Sequence, residues 1–163
     1  MTRVFFDVGI SLDGYIAGPN RGPKNPLGDG GAGLHEWMAR TKTFRDRLHI
    51  PGAGETGGDD EIVKALFARA GANVMGRGMF DEGEANWPEE APFGTPVFVL
   101  THDVREPWKR PGGTTFHFVT DGIESALTQA KAAAGGKDVR IAGGAETIRQ
   151  YLTAGLIDDM HLA

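Results

Sequence analysis

The chain has 163 residues, enough for one domain with a buried core and short for two. A formal net charge of -5 argues against binding nucleic acid over a broadly basic surface, and the absence of cysteine excludes disulfides, thiolate nucleophiles and Cys-ligated zinc. No run approaches the ~20 apolar residues of a membrane helix, and the N-terminus lacks a signal-peptide pattern, so a cytoplasmic protein without membrane partners is expected.

Val4, Phe5, Phe6, Val8 and Ile10 predict a buried first strand of β-branched and aromatic residues. Asp7 interrupts it; a carboxylate there is paired, points into a polar cleft, or sits at an exposed edge. Residues 12–33 hold Pro19, Pro23 and Pro26 among many glycines and show no periodicity, and loops of that length are commonly functional. Leu34, Trp37, Met38, Phe44 and Leu48 predict one amphipathic helix bounded by Pro51 and Gly52. Ile62, Val63, Leu66, Phe67 and Ala70 predict a second, with Gly71 as its C-terminal cap.

Asn73 to Met75 predicts a short strand that runs into Gly76, Arg77 and Gly78 and a new helix start. Val97 to Leu100 predicts another strand, stopping at Thr101 and His102, and Phe116 to Val119 one more. Asp121 and Glu124 have capping-box spacing ahead of the helical pattern Ile123, Ala126, Leu127, Ala130. Val139 to Ala142 then predicts a strand that breaks at Gly143 and Gly144 into the helical pattern Ala145, Ile148, Tyr151, Leu152, and Leu156 to Leu162 a last strand. Strands alternating with helices predict a single α/β domain, residues 1–163, around a largely parallel sheet.

The Gly143-Gly144 pair has two readings: a turn that lets a pyrophosphate approach main-chain N–H groups at a helix start, or a βα turn that needs small residues. Gly76-Arg77-Gly78 and Leu100-Thr101-His102 are two further strand ends of the same kind, and ligands of open α/β sheets collect at such ends. Other chemistries find no support. His35-Glu36 opens like HExxH but residue 39 is Ala; Ser11 and Ser125 lie in no GxSxG elbow; GxGxxG is absent, which disfavours a generic Rossmann dehydrogenase; and no metal site is expected.

Four stretches in order, VGISLDGYIAG (Val8 to Gly18), VMGRGMF (Val74 to Phe80), VFVLTH (Val97 to His102) and IAGGAETIRQYL (Ile141 to Leu152), resemble the dihydrofolate reductase-like superfamily. They resemble especially the group related to the reductase domain of the bifunctional riboflavin-biosynthesis deaminase/reductase. The resemblance implies a three-layer fold with a mostly parallel mixed sheet, and NADPH as cofactor. It also implies a role for each matched position. Gly143, Gly144 and Ala145, with Glu146 and Thr147, match the pyrophosphate turn. Gly76, Arg77, Gly78 and Met79 match the helix start that meets the cofactor phosphates, and Thr101 and His102 the pair lining the 2′-phosphate. Tyr15, Ile16 and Ala17 match the mobile loop beside the nicotinamide, while Val8 and Gly9 match strand positions against the ring to be reduced.

The family's acid falls on no fixed register here; Glu36, beside Trp37, is the nearest candidate, with Asp7 and Asp13 as others. Trp37 itself is a substrate-binding candidate. Relatives continue past the strand matching Ile157 to Ala163 with further antiparallel strands, so the fold is expected to lack these, and the edge left open suggests a homodimer. The reading is an NADPH-dependent reductase delivering hydride to a C=N or C=O carbon of a pterin- or pyrimidine-like heterocycle. The alternative is a non-catalytic nucleotide-binding or assembly protein that keeps the fold.

Overall fold

A computed structural model describes residues 1–163. Its elements are β1 (Val4–Val8), α1 (Glu36–Ala39), α2 (Lys42–Arg47), α3 (Gly58–Arg69), β2 (Ala70–Gly76), α4 (Arg77–Glu84), β3 (Pro96–Leu100), β4 (Trp108–Lys109), β5 (Thr115–Val119), α5 (Ile123–Ala133), β6 (Asp138–Gly143), α6 (Ala145–Thr153) and β7 (Asp159–Leu162). The seven strands form one sheet in the order β4-β5-β3-β2-β6-β1-β7. All neighbours run parallel except β4 and β5.

Period-two alternation divides the core between the two faces of the sheet. Val4, Phe6, Ala72, Val74, Phe98, Val139 and Ile141 face one way and pack with Ala126, Leu127 and Ala130 of α5 and Ile148 and Tyr151 of α6. Met75, Val97, Val99, Phe116 and Ala142 face the other way, against Phe80 of α4 and Ala91. The three layers follow from that split. Polar residues also occupy the second face: Asp7 on β1, Asn73 on β2 and Arg140 on β6 alternate with the apolar set, and all three line a cavity there.

Three local expectations are corrected, and one strand is additional to those expected. The helix predicted over Leu34 to Leu48 is a 3-10 turn, Gly31–His35, followed by α1 and α2. Thr41 is the break: its Oγ1 donates to the Met38 carbonyl and accepts from the Phe44 N–H, closing one helix and capping the next. Gly71 caps nothing; Ala70 and Gly71 already belong to β2, and a Cβ at Gly71 would overlap the Ala134 carbonyl, so glycine there permits close backbone packing. The capping box is also absent. Gly122, at φ 96°, is the N-cap of α5 and no side chain bonds to it. Lastly, β4 pairs Trp108 with Phe116, a two-residue strand too short to leave a pattern in the sequence.

Candidate functional site

The carboxyl ends of β1, β2, β3 and β6 open on one side of the sheet, where β6 inserts between β1 and β2. Two cavities lie there. One is an open polar groove of about 900 Å³ and the other a largely apolar cavity of about 300 Å³; they share Arg21, Met79, Glu82 and Gly144 as a common wall.

The groove is built from helix starts. Gly76 and Gly144 are the N-caps of α4 and α6, and no side chain caps either helix. Their first-turn N–H groups are therefore open to an anion, and both positive helix ends converge on the same space. A Cβ at Gly76 would overlap Thr147 Oγ1, so that glycine allows the two helix starts to approach each other. Arg77, Gly78, Met79, Thr101, His102, Ala145, Glu146 and Thr147 complete the polar lining together with Gly76 and Gly144. This donor set fits a dinucleotide phosphate chain.

The charge in the groove is mostly committed. Arg77 donates from Nε to Asp81 at 2.6 Å, and from Nη1 to Asp103 at 2.8 Å and Thr101 Oγ1 at 3.1 Å. It holds two carboxylates together, and these hydrogen bonds, with Asp81 first, raise its pKa further. Glu146 is likewise held by Arg149 of its own helix, which lowers its pKa.

The apolar cavity takes Val8, Gly9, Ile16, Ala17, Trp37, Gly143 and Asp7 from the predicted set. Asp7 is engaged rather than free: Arg140 donates to both its oxygens, Nε to Oδ1 at 2.5 Å and Nη2 to Oδ2 at 2.7 Å, in a pair only about a tenth exposed. Glu36 and Asp13 face neither cavity. Glu36 is exposed at the start of α1, and Asp13 is an exposed turn residue that accepts from Ser11 Oγ at 2.6 Å; Tyr15 is also exposed outside both cavities.

Residues 2–163 match the family model for the RibD C-terminal domain. The chain belongs to that family. It is a reductase-like domain of the riboflavin-biosynthesis type, and reductases of the family generally use NADPH. The fold is shared with a crystal structure, at 2.12 Å resolution, of a Shewanella sp. PV-4 protein assigned by name to riboflavin biosynthesis. The two are 25% identical with a TM-score of 0.55, over 99% of this chain and 75% of the other. No curated protein matches the chain. No helix is long and apolar enough to cross a membrane.

Sequence reasoning missed a third cation of the cavity beside Arg21 and Arg140, Arg47. Its Nη1 donates to the carbonyls of Pro92 and Phe93, and its guanidinium lies 4.4 Å from the centre of the Phe67 ring, yet no carboxylate pairs with it. Burial first, and then Arg140, pushes its pKa down. The cavity thus carries one surplus positive charge: Asp7 balances Arg140, Glu82 balances Arg21, and nothing balances Arg47. Three buried polar atoms of the cavity residues also lack partners, His35 Nε2, Trp37 Nε1 and Asn73 Oδ1.

Burial also depresses the pKa of the His35 imidazole below 6.5, with the Ile16 carbonyl and Asp7 pulling partly the other way. Folding is thereby linked to pH. Below the unfolded value near 6.5 the unfolded chain takes up a proton that folded His35 resists, so stability falls as pH drops from about 7 toward 5. His117, also depressed by burial, acts in the same direction. Urea midpoints measured at both pH values should show the loss, and His35→Gln should flatten part of the slope. An unchanged slope in the variant would contradict the assignment.

Proposed function

We propose that the chain is an NADPH-dependent reductase that delivers hydride to a C=N or C=O carbon of a pterin- or pyrimidine-like heterocycle bearing an anionic substituent. The observation that carries the reading is the pair of joined cavities. A polar groove suited to a phosphate chain meets an apolar cavity suited to a flat ring across the shared wall at Gly144. NADPH, when bound, supplies the hydride.

The residues of the chain do the rest. Val8, Ile16, Trp37 and Phe67 form apolar walls that exclude water from a ring. Arg140, fixed by Asp7, keeps Nη1 outside the ion pair, and a guanidinium N–H donated to the carbonyl oxygen or imine nitrogen would polarise the bond to be reduced, that atom taking its proton from solvent water after the hydride reaches the carbon. Asp7 thereby acts through Arg140 as a positioning residue. Arg47 supplies the unbalanced charge, and the surplus it leaves in a low-dielectric cavity favours a substrate that carries a carboxylate or phosphate.

The alternative, a nucleotide-binding protein without turnover, makes a different prediction. Purified protein with NADPH is expected to lose reduced-nicotinamide absorbance when an anionic pterin or pyrimidine is added, and more slowly with the uncharged analogue. Tight NADPH binding with no oxidation across such a panel would favour the non-catalytic reading. No NADPH binding at all would remove both.

A further inference from the structure

Arg21 belongs to none of the four stretches that carry the family resemblance, yet it stands where the two cavities meet. Its Nε donates to Glu82 Oε1 at 2.8 Å, and Nη1 and Nη2 have no acceptor. Those two nitrogens lie 3.4 and 3.6 Å from the position of a Cβ built on Gly144, directly beside the start of α6. A cation at the positive end of a helix is the wrong sign for stability. Glu82 offsets part of it from the far side of the guanidinium, and the four N–H bonds of Nη1 and Nη2 remain for an anion.

Arg77, the more conspicuous cation in the sequence, is placed differently. It carries two carboxylates, Asp81 and Asp103, so an approaching phosphate meets a locally negative cluster there. At Arg21 the local sum is zero, and the open helix start adds to the attraction.

Glu82 also ties Arg21 to the second cavity. Its Oε2 accepts the Leu27 N–H at 3.3 Å, and Leu27 is part of the apolar wall. Asn86, one turn further along, donates to the Pro23 carbonyl at 3.0 Å and fastens the same loop to the end of α4. One carboxylate on α4 thus holds both the arginine that faces the groove and the backbone that walls the substrate cavity.

Resting on the dinucleotide reading above, we infer that Arg21 is the charged group that grips the cofactor pyrophosphate, and that through Glu82 it couples filling of the groove to ordering of the loop around Leu27. A pyrophosphate contact is common to NADPH and NADH. Replacing Arg21 should therefore weaken both by the same factor, whereas loss of a 2′-phosphate contact would weaken NADPH alone.

The experiment titrates NADPH and NADH, by calorimetry, into the parent, Arg21→Gln, Arg21→Lys and Arg77→Gln. Arg21→Gln is expected to lose about ten- to a hundredfold in affinity for each dinucleotide. Arg21→Lys should lose less, since it keeps the charge without the fork, and Arg77→Gln should also lose less than Arg21→Gln. Hydrogen exchange provides the second readout: residues 18–29 should gain protection on adding NADPH to the parent and not to Arg21→Gln at a concentration that saturates it. Arg21→Gln keeps a side-chain N–H for Glu82 but removes its counter-ion, and the Glu82 side chain is only 11% exposed, so the ligand-free variant should melt somewhat below the parent and affinities are compared below both melting temperatures. A parent that binds and an Arg21→Gln that binds equally well would overturn the inference alone, as would a larger loss in Arg77→Gln. A parent that binds neither dinucleotide would overturn the dinucleotide reading and this inference with it.

Discussion

Arg140→Met is expected to destabilise the protein by about 3 to 5 kcal/mol, because it leaves the Asp7 carboxylate buried without its counter-ion. The side chains of the pair are 7% and 12% exposed, and both carboxylate oxygens are committed to the one guanidinium. Asp7→Leu should cost a similar amount by stranding Arg140 beside Arg47, two cations over the same Phe67 ring at 5.8 and 4.4 Å. The double variant Asp7→Leu with Arg140→Met removes both charges and should recover most of the loss, since a buried ion pair contributes little net stability over a packed apolar pair. Turnover should not recover with it. Urea denaturation of the four proteins, read as a double-mutant cycle, gives the coupling. Additive losses would mean that the pair is not coupled as its geometry requires.

That result bears on why the chain keeps a costly pair in an otherwise apolar face. If stability were the only requirement, apolar residues at positions 7 and 140 would serve. A retained pair with one N–H-bearing nitrogen left over is the arrangement expected of a group held in place for a ligand.

The elements that announced themselves in the sequence are those whose signal is local. β1, β3, β5 and β6 are short apolar runs bounded by turn residues, and the glycine turns at positions 76 to 78 and 143 to 144 mark the strand ends where helices start. The break at Thr41 was hidden because apolar spacing continues across it from Met38 to Phe44, and only the hydroxyl's two bonds reveal the end of one helix and the start of the next. Gly71 read as a helix cap because its reason, the Ala134 carbonyl, lies more than sixty residues away.

The candidate site divides along the same line. The backbone positions of the groove and the apolar walls were readable from motifs, whereas the charges depend on partners distant in sequence. Arg77 pairs with Asp81 one turn along its own helix, a contact that spacing allows, but its second partner Asp103 comes from the far end of β3. Arg47 and Arg140 meet over Phe67 from α2 and β6, and Arg21 reaches Glu82 across 61 positions. Of the three acid candidates, the fold puts Glu36 and Asp13 outside both cavities and leaves Asp7 inside but paired.

Gly144→Val is expected to weaken NADPH at least a hundredfold, about 2.8 kcal/mol, in a protein that still folds. Gly144 has φ −75° and ψ −167°, an extended conformation open to any residue, and the nearest atom to an added Cβ is Arg21 Nη1 at 3.4 Å. The fold thus has room at this position. What the isopropyl group fills is the space between Arg21 and the first turn of α6, where a phosphate would have to lie against main-chain N–H groups. Gly143 supplies the contrast, since its φ of 133° disfavours any side chain and an added Cβ would press on Met79 Sδ at 3.2 Å. Gly143→Val should lose stability and binding together; Gly144→Val should lose binding alone. Thermal unfolding with and without NADPH separates them, because a ligand that binds the folded state raises the midpoint. The parent midpoint should rise with NADPH, the Gly144→Val midpoint should start near the parent's and stay there, and the Gly143→Val midpoint should start lower. A Gly144→Val protein whose midpoint rises as far as the parent's would show that the turn at the head of α6 is a bend and not a phosphate site.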